Sequence, residues 1–207
     1  MAELVNNVFT KIYYWIVLSA LFYMGCILGA GIFGALPSLI TTLLIHRHAQ
    51  GNYQLIRFNH FWSEYKVNLK ETWLWSCMYI MSILLILWGI WFTSQFKGII
   101  FLISLTIQAT VSLILLQSLG AHAQLKQVIE ASSLDLFKLS LIHFFITPKI
   151  TLLNVVYNFI GLVLVFLMPA LAFMFLIPIW LGIFTPLYNN VFIERGWVNE
   201  EENFVSE

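Results

Sequence analysis

The chain has 207 residues, of which 60% are hydrophobic and only 10% charged, and its formal net charge is zero. Soluble domains carry about a quarter charged residues and less than half apolar ones. A 24 kDa globule has too little interior to hide this much apolar side chain, so a soluble enzyme is excluded and lipid becomes the natural solvent. Ten basic and ten acidic residues leave no net positive field to hold a phosphate backbone, which excludes nucleic acid as a partner. Cys26 and Cys77 both sit in apolar stretches, as suits packing in a membrane and not a disulfide framework or a cysteine metal site.

Charged residues divide the chain into four long uncharged runs: Ile12 up to the His46-Arg47-His48 cluster, Thr72–Phe96, Gly98–Leu125 and Ile150–Ile193. Each exceeds the roughly 18 apolar residues of a membrane-crossing helix. The first run holds Gly25, Gly29, Gly31, Gly34 and then Pro37, and it reads as one crossing over 12–33 with a short helix emerging toward His46. The alternative is a tight hairpin, which reverses the N-terminus. Tyr23 and Met24 stand where an export signal ending at Cys26 needs small aliphatic residues, so the run is read as a retained span.

After the first run, Phe58, Phe61, Trp62, Tyr65 and Leu69 recur at helical spacing, with Ser63, Glu64, Lys66 and Lys70 between them. This predicts an amphipathic helix leading into a span over 72–96, and the face of Phe58, Phe61, Trp62 and Tyr65 is a candidate surface for docking a partner. A third span is read at 98–121. A second amphipathic helix follows, with Leu134, Phe137, Leu141, Phe144 and Phe145 on one side and Asp135, Lys138 and Ser140 on the other, capped by Ser132 or Ser133. Thr147 and Pro148 read as a cap and first helical residue. The final run would make a helix of about 66 Å, twice the hydrocarbon thickness, so it is broken at Met168-Pro169 into spans near 150–168 and 170–188. The expected fold is therefore all-α: a single integral membrane domain over 1–207, a polytopic bundle of about five transmembrane helices plus two amphipathic helices on the cytoplasmic side.

Orientation follows from the basic residues, since cytoplasmic loops are rich in Lys and Arg. With five spans, Arg47, Arg57, Lys66, Lys70, Lys126, Lys138, Lys149 and Arg195 share one side and only Lys11 and Lys97 face the other. The expectation is a multi-pass protein of the cell membrane with its N-terminus outside and its C-terminus in the cytoplasm.

No Asp, Glu, Lys or Arg falls inside an expected span, and intramembrane chemistry usually needs one. Three uncharged groups are candidate polar positions within the membrane: Gln108 in the third span, and Asn154 and Asn158, four apart on one face of the fourth with Tyr157 beside them. Each could line a polar path; interhelical hydrogen bonding weighs more heavily. His46, His48, His60, His122 and His143 lack the four-residue spacing of a helix-borne ligand pair, so no metal and no cofactor is expected. Gly25-x-x-x-Gly29 and Ala30-x-x-x-Gly34 permit close helix approach, either within the monomer or in a homodimer. No phosphate-binding glycine loop or nucleophile elbow occurs, so no enzyme is expected.

The stretch Gly34-Ala35 through Pro37, Thr41 and Gly51, followed by Phe58-x-x-Phe61-x-x-x-Tyr65-x-x-Asn68, resembles the opening signature of the YesL family of bacterial membrane proteins. Lys138-x-Ser140, His143, Pro148, the Pro169 break and Val191-Phe192-Ile193-Glu194 resemble its second half. Pro37 and the His46-Arg47-His48 cluster depart from the pattern. The resemblance implies an integral membrane protein of unknown function, commonly encoded near carbohydrate uptake systems. Two functions stand as expectations. The first is a non-catalytic accessory or regulatory partner of such a membrane complex, with lipid and another membrane protein or a second copy as neighbours. The alternative is a small-solute transporter or channel.

Overall fold

A computed structural model describes residues 2–197. They form seven α-helices: α1 (Ala2–Leu28), α2 (Ala35–Ala49), α3 (Phe58–Thr93), α4 (Ile99–Lys126), α5 (Ser133–Ile146), α6 (Pro148–Leu167) and α7 (Pro169–Glu194), with one 3-10 turn at Tyr53–Leu55 and no strand among the described residues. Five of them, α1, α3, α4, α6 and α7, are long and apolar enough to cross a bilayer. The three interhelical breaks that carry a local signal fall as expected. The Ser132 hydroxyl accepts from the Asp135 backbone N–H at 3.2 Å and donates to its carboxylate at 2.6 Å, capping α5. Pro148 and Pro169 each open a helix, where their missing N–H costs nothing.

The buried faces of α3 and α5 carry polar groups. On α3 the inward stripe is Phe61, Tyr65, Asn68, Thr72, Ser76 and Tyr79, at steps of three or four residues. On α5 it is Leu136, Ser140 and His143, while Leu134 and Phe145 are exposed. This corrects the expected α5 face: of its apolar residues Leu134 and Phe145 point outward while Phe137 packs against Trp75 and Tyr79, and Ser140, expected on the opposite face, points in with His143. Lipid solvates an apolar side chain as well as a protein core does, whereas a polar group facing hydrocarbon loses its hydrogen bonds.

The first uncharged run also differs from the expected single crossing over 12–33. Helix α1 ends at Leu28, and residues 29–34 reverse the chain through Ala30 (φ 52°) and Gly31 (φ +73°). Helix α2 then runs back along α1. The Tyr14 hydroxyl meets His46 Nδ1 at 2.7 Å at one end of this hairpin, and Gly29 abuts Gly34 at the other. Tyr13 also packs edge-on against Tyr53, beyond the end of α2. At about 22 Å, α2 is shorter than a bilayer core is thick. Ten of its fifteen residues are buried, so it is the central element of the bundle.

The small residues serve packing within the chain. Gly25 faces Ser38 and Tyr65, and the Tyr65 hydroxyl donates to the Gly25 carbonyl at 2.7 Å. A Cβ on Gly34 would lie 2.6 Å from the Gly25 carbonyl oxygen. Gly34→Leu should therefore destabilise the protein by at least about 2 kcal/mol. Thermal unfolding in detergent checks this, with Gly182→Ala, which meets nothing within 4 Å, expected to leave the melting temperature unchanged apart from a small gain in helix propensity.

Candidate functional site: a lateral cavity and a buried polar layer

Three helices supply a continuous line of amides. Asn158 Nδ2 on α6 donates to Asn154 Oδ1 at 3.1 Å, and Asn154 Nδ2 donates in turn to Gln117 Oε1 on α4. Gln117 Nε2 then donates to the Tyr188 hydroxyl on α7 at 3.1 Å. The four-residue spacing of the asparagines puts both on one helix face, and Asn154 and Gln117 each both donate and accept. Asn158 lies at the outer end of this line and borders a cavity of about 660 Å³ between α4, α6 and α7. Leu113, Leu116, Val165, Leu176 and Trp180 are among its apolar lining, together with Leu39 of α2. Gly120 admits the Trp180 indole, since a Cβ there would lie 2.6 Å from the ring. The Tyr157 hydroxyl donates to the Leu176 carbonyl of α7, and the Met174 carbonyl, which Pro178 leaves without its helical donor, accepts from the Ser19 hydroxyl of α1 at 2.6 Å.

Gln108 belongs elsewhere. It packs against Gly89 of α3, donates to Ser104 at 3.3 Å and accepts from Thr93 at 3.4 Å. These contacts hold the α3 and α4 hairpin together far from the Asn154 and Asn158 pair. The candidate docking face divides as well. Phe61 and Tyr65 are buried against α1 and α2, Trp62 is half-buried with Lys66 Nζ 4.9 Å from its ring, and Phe58 is exposed beside Arg57 and His60. Two of the four rings are thus core residues, because the inward stripe of α3 begins at its first turn.

A second polar layer was not apparent from local sequence. The hydroxyls of Tyr79, Ser118 and Ser140 form a closed triangle with sides of 2.8, 2.9 and 2.8 Å, joining α3, α4 and α5. His122 is fully buried beside it, near Trp75 and Tyr79, and neither ring nitrogen has a hydrogen-bond partner. Asn68 of α3 donates to Thr41 of α2 at 3.0 Å. The histidines do not converge: His46 meets Tyr14, His48 faces His60, and His143 accepts or donates at Thr147 at 2.9 Å. Among the described residues no group of three or more His, Cys, Asp or Glu could hold a metal.

Arg47, near the end of α2, brings a cation to the amides of α4 and α7. Its Nη2 donates to Asn189 Oδ1 of α7 at 2.8 Å and to Gln124 Oε1 of α4 at 3.1 Å. Gln124 Nε2 in turn donates to the Thr185 hydroxyl at 3.2 Å. Burial lowers the Arg47 pKa to about 10, so it remains charged near neutrality.

Seven helices, five of them able to span a bilayer, with polar stripes turned inward, define a multi-pass integral membrane protein of the helical-bundle class. Residues 15–95, from α1 to just past α3, match the family described as "Protein of unknown function, DUF624", the same family that the sequence resembles under the name YesL. No curated protein and no solved structure matches the chain.

His143 gives the fold a pH dependence. Burial, with Arg195 as a second influence, lowers its pKa from 6.5 to about 4. The unfolded chain therefore binds this proton first as pH falls, so the stability contributed by the neutral ring is complete above pH 6.5 and is lost progressively toward pH 4. The melting temperature should fall between pH 6.5 and 5, above the range where carboxylates titrate, and His143→Gln should flatten that decline.

Proposed function

We propose that the protein is a non-catalytic accessory or regulatory partner of another membrane complex, and that the α3 and α4 hairpin is the element it presents. The observation that carries this reading is the division of the hairpin into two halves. Near Tyr79 and Ser118 it is locked into the bundle by the hydroxyl triangle. Beyond that level neither helix has a buried residue until α4 returns to Gln117, with Leu85, Trp88 and Trp91 outward on α3 and Ile100, Leu102 and Ile107 outward on α4. Thr93, Gly89 and Gln108 keep the two helices together there. A rigid apolar hairpin anchored at one end suits insertion beside the spans of another protein. The resemblance to the YesL family points to a carbohydrate uptake system as the complex. A photoreactive residue at Trp88 should yield one stoichiometric companion in native membranes, while the same group at Phe166, on the lipid face of α6, should yield lipid adducts alone. Lipid adducts alone at both positions would remove the docking role.

A second reading, passage of a small solute, is favoured by the lateral cavity. Its walls are apolar, so an uncharged and weakly polar solute suits it better than a sugar. Uptake into proteoliposomes that is unaffected by Asn158→Leu would remove the amide line as its path.

The orientation we infer has both termini in the cytoplasm. The α1 and α2 hairpin supports it, because Tyr13 and Tyr14 lie beside Tyr53 and His46. Lys11 then joins the eight basic residues already grouped on one side, leaving only Lys97 opposite. In a variant lacking Cys26 and Cys77, cysteine introduced at Lys97 should react with an impermeant maleimide from outside the cell, and cysteine at Lys11 should react only after permeabilisation. Reaction at Lys11 in intact cells would restore the outward N-terminus.

A further inference from the structure

Among the described residues Arg47 is a positive charge without a carboxylate partner. Among the described residues the salt bridge is Lys126 to Glu71, and no carboxylate lies within 4.0 Å of the Arg47 guanidinium. Both of its hydrogen bonds run from Nη2 to neutral amide oxygens, and Nε is buried without any partner. A guanidinium taken out of water and left unpaired costs several kcal/mol. Arginine is nevertheless the side chain best shaped to bind a phosphate, through several parallel N–H donors. The residue is half-buried, so the group is not sealed inside the bundle. It stands between His46 and His48 at the end of α2, and no acid occurs from residue 4 to residue 63. Gln124 and Asn189 come from two different helices and hold the fork in place.

We propose that Arg47 is the anchor of a binding site for the phosphate group of an anionic membrane lipid, with Gln124 and Asn189 positioning the guanidinium and the ligand supplying the missing negative charge. The phosphodiester enters from the partly open side of Arg47 while its acyl chains remain in the bilayer. This goes beyond the accessory role and does not depend on it, since lipid retention is measured on the purified protein whether or not a companion is present.

The test is native mass spectrometry of the full chain released from micelles doped with equal phosphatidylglycerol and phosphatidylcholine. The wild type should retain phosphatidylglycerol in preference by at least about fivefold, the effect of one basic residue on an anionic leaflet. Arg47→Gln should abolish the preference, Arg47→Lys should keep part of it, and Arg57→Gln, at an exposed cation ten residues away, should leave it intact. Should Arg47→Gln fail to fold, the wild type alone still decides: about 0.5 M KCl should reduce retention of phosphatidylglycerol while sparing phosphatidylcholine. Equal retention of the two lipids, or a preference that survives Arg47→Gln, overturns the site. Displacement of the lipid by inorganic phosphate at equal concentration overturns the assignment to a lipid headgroup.

Discussion

The architecture rests on hydrogen bonds between side chains of different helices in a solvent that offers none. An apolar contact gains little in lipid, because the hydrocarbon around a helix is as apolar as leucine. A hydroxyl or amide facing that hydrocarbon loses its partners. Asn68 with Thr41, Tyr79 with Ser118 and Ser140, and Asn154 with Gln117 are therefore the contacts that decide which faces meet. Each also joins two helices distant in sequence, so together they specify a tertiary arrangement that hydrophobicity alone leaves open.

Glycine supplies the complementary part. At the α1 to α2 reversal, Gly25, Gly29 and Gly34 bring backbone against backbone, and only there can the Tyr65 hydroxyl reach the Gly25 carbonyl. The buried helix α2 brings Ser38, Thr41 and Thr42 to the centre of the bundle and carries Arg47 to the amides of α4 and α7. Close backbone approach and a charged end to the central helix thus follow from one reversal of the chain.

The amide line and the hydroxyl triangle have different consequences. The triangle is closed and fully buried, and it fixes the base of the α3 and α4 hairpin. The amide line ends at a cavity, so Asn158 has one side committed to Asn154 and another turned toward open space. A polar group in such a place can meet a ligand without the bundle having to open, whereas Gln108 is committed to the contact between α3 and α4.

Charge-free runs, proline and an N-cap serine sufficed to mark a chain of five apolar membrane-length helices, the breaks before Pro148 and Pro169, and the start of α5, though not the reversal at residues 29–34, because each is a local property of lipid solvation or backbone chemistry. The inward faces of α3 and α5 were harder to read, since aromatic periodicity such as that of Phe58, Phe61, Trp62 and Tyr65 looks the same whether the stripe meets lipid, a partner or the core. Asn154 and Asn158 stood out by their spacing, but Gln117, Ser118, Ser140 and Arg47 acquire meaning only from neighbours 22 to 142 residues away. The amino-acid sequence by itself determined that this is a membrane-spanning helical chain broken before Pro148 and Pro169, since burial in hydrocarbon and proline chemistry are decided residue by residue. Only the tertiary structure decided that α2 turns back along α1 and which polar groups meet, because those depend on the small energy differences between alternative pairings of helices that lipid solvates equally well.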